Sequence, residues 1–326
     1  MTTSGSYNYS VTAAQVIYAA AEDIGIVAGG ATINSNDETS MLRRLNFIAK
    51  QWQGTSDMSQ GLKIWSRKTV TVFLAKNQQT YLVGPAATDN HATTQYGRTT
   101  ISAAEASGQT TISITSNTDT STYPGTTVTM TDGDNIGIQL DDGTLQWTTI
   151  SGTPSTTATI AAALTDSAAA GNYIYWYTTK AQRFVDIEFA SLRNENIIDM
   201  PLNIYRNVKD YERIPQKGAT GDPTALLVEP LTLNSRVTLN TYPQDVYKQL
   251  RLTVLYPEED YDSTSNDIAF PQEWFAALEW ELAFRSAPMM SRPWTQEMQQ
   301  NYTVALAMAR NLNPAKSTDY FQPGRE

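Results

Sequence analysis

The side chains able to do chemistry are few. The chain has one histidine, His91, and no cysteine. Thiol catalysis, disulfide frameworks and Cys-ligated zinc are therefore excluded. Any Ser-His-Asp relay would turn on His91 alone. That residue sits in the polar run Asp89-Asn90-His91-Ala92-Thr93, and the chain has no Gly-x-Ser-x-Gly elbow. A solvent-exposed loop is the expected setting for it. Asp132-Gly133-Asp134-Asn135-Ile136-Gly137 opens like a calcium loop, but Ile136 stands where a third oxygen is needed and Gly143 where the closing Glu belongs. It reads as an acidic turn entering a strand. Glu258, Glu259, Asp260 and Asp262 supply carboxylates, yet a glycosidase needs two of them facing each other across a cleft. Nearly consecutive acids after Pro257 read as a solvated loop. Gly25-Ile26-Val27-Ala28-Gly29-Gly30 lacks the Lys-Ser/Thr of a phosphate loop and reads as a helix stop. Tyr173, Tyr175 and Tyr177 alternate with Trp176, which puts the three tyrosines on one strand face and the indole on the other. Packing of a small β core is the expected use, with sugar or protein contact as the other.

The elements that would position these groups follow from periodicity. Val11, Ala14, Ile17, Ala21 and Ile24 recur at helical spacing, and Gly25 ends the run. Ser35 to Glu38 fits a capping box. Beyond it Met41, Leu45, Ile48 and Trp52 share one stripe, so residues 11–53 read as a helical hairpin. Val70, Val72 and Leu74, then Tyr81 to Val83, alternate with polar residues about the turn Lys76–Gln79, which predicts a β-hairpin. Residues 99–178 are rich in Thr, Ser, Gly and Asp, with short apolar runs at Thr110–Thr115, Thr126–Met130, Asn135–Leu140, Leu145–Ile150, Thr157–Ala162 and Tyr173–Tyr177. Asp141-Asp142-Gly143 is a hairpin turn, and the series predicts an inserted small β-sandwich or barrel. Residues 179–268 are broken by prolines between short strands at Ala225–Val228, Arg236–Asn240 and Leu250–Tyr256, with one helical turn at Asn207–Arg213. Pro271 opens a helix bearing Trp274, Leu278 and Leu282 that Pro288 closes. A last helix carries Met298, Tyr302, Ala305, Met308 and Leu312 on its expected packed stripe.

Composition agrees with a chain built for assembly rather than catalysis. Its 326 residues carry a net charge of −10, with 40% hydrophobic, 10% aromatic and only 17% charged residues. That is too apolar and aromatic for a disordered chain. An acidic surface is unsuited to gripping DNA phosphates, an affinity that comes from Lys and Arg. No run of 18 apolar residues predicts a membrane helix, and Met1 to Gly5 shows no secretory pattern.

The expected fold class is α+β: a helical bundle built from the N- and C-terminal helices, with central β-rich segments that include the inserted β-sandwich or barrel. The segments are 1–66 (N-terminal helices), 67–98 (β-hairpin region), 99–178 (Thr-rich insert), 179–268 (mixed β and loop), 269–312 (C-terminal helices) and 313–326 (an extended tail). No metal or cofactor site and no enzymatic activity are expected.

Three stretches resemble a known family. Ala14-Gln15-Val16-Ile17, Ala20 to Ile26, Leu42, Leu45-Asn46 and Ala49 to Trp52 resemble the opening helices of the head-to-tail adaptor proteins of short-tailed phages. Phe270 to Trp274, Leu278 and Leu282 to Pro288 resemble that family's third helix and its Ala-Pro ending, and Met200 to Thr224 looks like larger phage neck and tail proteins. The resemblance implies a structural virion protein in the neck, between capsid and tail, assembled in the host cytoplasm. It would form a homo-oligomeric ring, typically of twelve copies, beneath the portal protein, extend the DNA channel, help to retain packaged double-stranded DNA and dock downstream tail, nozzle or fibre proteins. The C-terminal tail would reach along the portal, with Lys316, Tyr320, Phe321 and Arg325 as its docking residues. Twelve copies at −10 each would carry about −120, which repels the phosphate backbone and lets DNA slide if acids dominate the lumen. The rival readings are a decoration or receptor- and glycan-binding module acting through the insert, and a hydrolase using the carboxylate clusters.

Overall fold

A computed structural model describes residues 5–6, 8–52, 66–87, 89–93 and 95–312. The chain divides into two compact units, residues 1–66 with 257–326, and residues 67–256.

The first unit is helical. Thr12 caps α1 (Ala13–Asp23): its hydroxyl accepts from Gln15 N at 3.4 Å, while Gln15 Oε1 accepts from Thr12 N at 2.9 Å. This reciprocal box satisfies two of the orphan donors at the helix start. Gly25, at φ +69°, closes the helix. α2 (Ser35–Trp52) is capped by Asn34, whose Oδ1 accepts from Asn36 N at 2.9 Å. The box expected at Ser35 is thus displaced by one residue, because Asn34 is an equally good cap one position earlier. α4 (Phe275–Ser286) follows a 3-10 turn at Gln272–Trp274, and α5 (Gln296–Leu312) begins after Thr295. α4 is the shared partner of α1, α2 and α5. Ile17, Met41, Leu45, Trp274, Leu278 and Leu282 meet in one core.

The second unit is a stack of β layers. Its five-stranded sheet runs β13 (Asp199–Pro201), β12 (Asp186–Arg193), β17 (Gln249–Leu255), β1 (Arg67–Phe73), β3 (His91–Ala92). A four-stranded sheet runs β14 (Asn203–Tyr205), β15 (Ala225–Pro230), β16 (Ser235–Leu239), β2 (Thr80–Val83), with α3 (Val208–Glu212) between β14 and β15 in sequence. Val70, Val72, Leu250 and Leu252 of the first sheet pack on Tyr81, Val237 and Leu226 of the second. The other four-stranded sheet runs β4 (Gly97–Thr100), β11 (Tyr173–Tyr177), β8 (Asn135–Gln139), β9 (Leu145–Thr149). Two strand pairs accompany it: β5 (Thr111–Ser113) with β10 (Thr157–Thr159), and β6 (Thr118–Asp119) with β7 (Val128–Thr129). Phe73, Tyr96, Tyr175 and Tyr177 form a layer between this sheet and the five-stranded one, while Ile136, Ile138, Ile174 and Trp176 fill the core on its far side. A strand covered on both faces loses polar alternation. That accounts for the four consecutive buried residues that end β1 and for the run Ile174–Tyr177 in β11.

Two expectations are corrected. Among the described residues the chain is mostly β, in five sheets, with five short helices and 22% helical content, so its fold class is not that of a helical bundle built from the terminal helices. The helical periodicities cover short stretches, whereas most of the described strands lie in the Thr-rich and Pro-broken middle, with its weaker signals. The hairpin expected over residues 70–83 is also absent: β1 pairs with β17 and β3, and β2 pairs with β16. Lys76 to Gln79 is a corner that carries the chain from one sheet to the other. Asn77 takes φ +62° there, and Tyr81 Oη accepts from Ala75 N at 3.0 Å.

Candidate functional site

The sequence candidates for catalysis disperse into structural roles. His91 is buried, 2% exposed, which corrects the expected solvent-exposed loop. Its pairing opposite Val72 in β1 draws the ring inside. Nδ1 accepts from Phe73 N at 3.3 Å, and Nε2 has no hydrogen-bond partner among the described residues. Burial above all, with the Lys180 charge second, pushes its pKa down to about 3. A neutral imidazole of that kind is no general base at ordinary pH. Asp89, the nearest orienting carboxylate in sequence, instead accepts from Leu82 N at 2.7 Å and Gln78 Nε2 at 3.2 Å.

The calcium-like loop is a structural turn. Asp134 is buried, and its Oδ2 accepts from Thr131 N at 2.8 Å. Asp132 Oδ1 accepts from Gly152 N at 2.6 Å, and Gly133 takes φ +83°. In the other acidic cluster, Asp260 pairs with Lys50 at 2.7 Å, and the same ammonium donates to the Glu258 carbonyl. Glu258 is buried while Glu259 and Asp262 are exposed, and it is the Asp260 carboxylate with the Glu258 carbonyl that ties this loop to the end of α2. Among the described residues no group of three or more His, Asp and Glu is placed to hold a metal. The glycine run ends α1, with Gly25 N donating to Glu22 O at 2.9 Å and Gly30 N to Tyr18 Oη at 2.8 Å. Tyr175, Trp176 and Tyr177 are buried, and Tyr173 is half-buried, stacked on Tyr175 and hydrogen-bonded to Glu195 at 2.9 Å. They are core, on the two faces that alternation assigns. The tail residues Lys316, Tyr320, Phe321 and Arg325 lie outside the described residues.

Three features escaped the sequence. The first is an open groove of about 640 Å³ on the second unit. Thr80, Leu82, Leu227, Glu229, Arg236 and Thr238, the residues of β2, β15 and β16 that alternate with the core set, form its floor, and Val208 and Tyr211 of α3 form one wall. Arg236 and Glu229 pair across that floor at 3.5 Å. The second is a carboxyl pair in the first unit, Asp23 at the end of α1 with Glu279 on α4. Burial foremost, then the Asp23 charge, raises Glu279 to about 7, so it keeps a proton and donates it to Asp23, which burial also raises. The third is a polar knot on α4. The buried Glu281 takes Arg285 Nε at 2.6 Å and the Tyr302 hydroxyl from α5, and Arg285 donates to Gln51 of α2 at 2.6 Å. Each group sits at an ordinary helix or strand position, and the distant partner that gives it meaning is invisible in local spacing.

Charge is unevenly distributed. Residues 99–178 contain seven acidic residues and neither Lys nor Arg. The first unit has 16 acidic residues against 9 basic, and the second 17 against 14. Outside the 99–178 stretch, then, the second unit is net basic. No helix among the described residues is long and apolar enough to cross a membrane. No family model matches the chain, and a search of curated proteins gives no match.

Proposed function

We propose that this chain is a structural head-to-tail adaptor of the short-tailed phage kind. In this reading it forms a homo-oligomeric ring on the portal, extends the DNA channel and offers the docking surface for the tail. The observation that carries the reading is the common core of the first unit. The two helical stretches that bear the resemblance come from opposite ends of the sequence, and Ile17, Leu45, Trp274 and Leu278 bury against one another. The concentration of acid supports it as well. A channel wall that DNA must pass without sticking needs negative charge, and the first unit and the 99–178 stretch hold the excess. The chemical candidates that a hydrolase would need serve instead as turns, pairs and core, and Tyr175, Trp176 and Tyr177 offer no exposed platform for a sugar.

The test is assembly. Purified full-length chain mixed with cognate portal rings is expected to form a complex of fixed stoichiometry, read by mass photometry and by imaging of the neck. A chain that never binds portal rings refutes the proposal.

A further inference from the structure

α5 is an underused helix. Among its residues with a described side chain only Ala309 is fully buried. Met298, Tyr302, Ala305 and Leu306 turn toward the unit at half-burial, whereas Val304 and Met308 stand 51% and 62% exposed. The packed stripe expected from sequence is therefore rotated, with Ala309 in the place assigned to Met308. Glu297, Asn301, Val304 and Met308 follow one another at i, i+4, i+7 and i+11 and make one outward stripe. α2 carries a matching exposed pair: Phe47, 60% exposed, and Arg43 four residues before it. Among the described residues neither Arg43 nor Glu297 has an ion-pair partner. α2 and α5 each pack on α4, so both stripes look outward from the same unit.

We infer that these two stripes are the two halves of one contact between copies of this chain: the α2 stripe of one copy against the α5 stripe of the next. Phe47 would seat between Val304 and Met308, with Arg43 facing Glu297. Charge complementarity fixes the direction. In both helices the charged residue precedes the apolar one, so the helices cross roughly parallel. At 1.5 Å per residue the axial offset from charge to apolar centre is about 6 Å on α2 and about 13 Å on α5, where the centre lies midway between Val304 and Met308, a difference of about 7 Å that the extended Arg43 and Glu297 side chains together span. The pairing is heterologous, since the two patches differ, and heterologous contacts generate rings when the rotation closes. This assignment rests on the ring in the adaptor reading and names the surface that would build it.

The absence of native cysteine allows a clean test. Phe47→Cys and Met308→Cys are made as separate full-length chains, both at exposed positions whose change leaves the core intact. The two are mixed at high concentration and oxidised. A disulfide-linked pair is expected in the mixture, with each variant alone giving little product, and the double variant is expected to give a ladder of linked species. Arg43→Glu is expected to cut the yield about fivefold or more through like-charge repulsion, and Glu297→Arg on the partner to restore it. Cross-links confined to either single variant, or none in any sample, overturn the contact. Portal binding that survives such a result leaves the adaptor reading standing, and failure to bind portals despite the cross-link removes that reading alone.

Discussion

Replacing Glu279 by Gln is expected to stabilise the first unit at alkaline pH and to do little at acid pH. Below an ordinary glutamate pKa of 4.5 both folded and unfolded chains are protonated, and the buried carboxyl costs nothing extra. As pH rises the unfolded chain releases its proton, while the folded one holds it to about 7 beside the Asp23 carboxylate. Between those two values the native state binds more protons, so stability falls with pH, and above 7 the whole penalty is present. The displacement corresponds to roughly 3 kcal/mol at ~1.4 kcal/mol per unit. Glu279 is only half-buried, however, and water screens the pair, which brings the expected effect to about 1–2 kcal/mol. Glutamine keeps the shape and the donated hydrogen bond without a proton to lose. Tryptophan fluorescence suits the assay, because four of the six tryptophans among the described residues (Trp52, Trp274, Trp280 and Trp294) belong to this unit. Urea midpoints of wild type and variant are compared at pH 5, 7 and 8.5. The variant is expected to match wild type at pH 5 and to exceed it at pH 8.5. A gap that stays constant with pH, or a variant weaker at pH 8.5, would refute the reasoning.

Other outcomes follow from the packing. Gly97→Ala is expected to destabilise the second unit by about 1–3 kcal/mol, read by urea denaturation, because a Cβ there would lie 2.0 Å from the Trp176 ring. Phe73→Ala removes the ring at the centre of Tyr96, Trp147, Tyr175 and Tyr177 and is expected to cost about 3–5 kcal/mol. The imidazole of His91, held neutral by burial, contributes with the opposite pH sign to Glu279: stability is complete above its ordinary pKa of 6.5 and is lost as pH falls toward 3. The urea midpoint of wild type is therefore expected to drop faster between pH 6.5 and 4 than that of His91→Phe, and parallel curves would remove the assignment. Truncation after Leu312 is expected to weaken portal binding, and unchanged affinity in a pull-down would clear Lys316, Tyr320, Phe321 and Arg325 of a docking role.

What could be read from the chain alone was local. The 3.6-residue rhythm located α1, α2, α4 and α5, and the alternation in residues 173–177 correctly divided the three tyrosines from Trp176. Pairing was not legible. Val70–Leu74 and Tyr81–Val83 look like the arms of a hairpin, yet each is registered against a strand more than 150 residues further on, Leu250 opposite Val72 and Val237 opposite Tyr81. Polarity misled at His91, whose polar neighbours in sequence concealed its place beside the core residue Val72. The Asp23–Glu279 pair had no local signature at all, since its meaning arises only when α1 meets α4. The extent of β structure was masked for a related reason: short strands covered on two faces, such as β11, carry no clean period.

The acid-only stretch within the second unit has a practical consequence. Trypsin cuts after Lys and Arg, and between Arg98 and Lys180 there is neither. Both bounding sites are themselves held in structure. Arg98 lies in β4 and donates to the Glu195 carbonyl at 3.1 Å, and the Lys180 ammonium donates to the Ala87 carbonyl at 2.7 Å. A digest of the native protein should therefore leave this whole stretch as a single long fragment. Amine-directed labels, which need a lysine, would pass over it entirely.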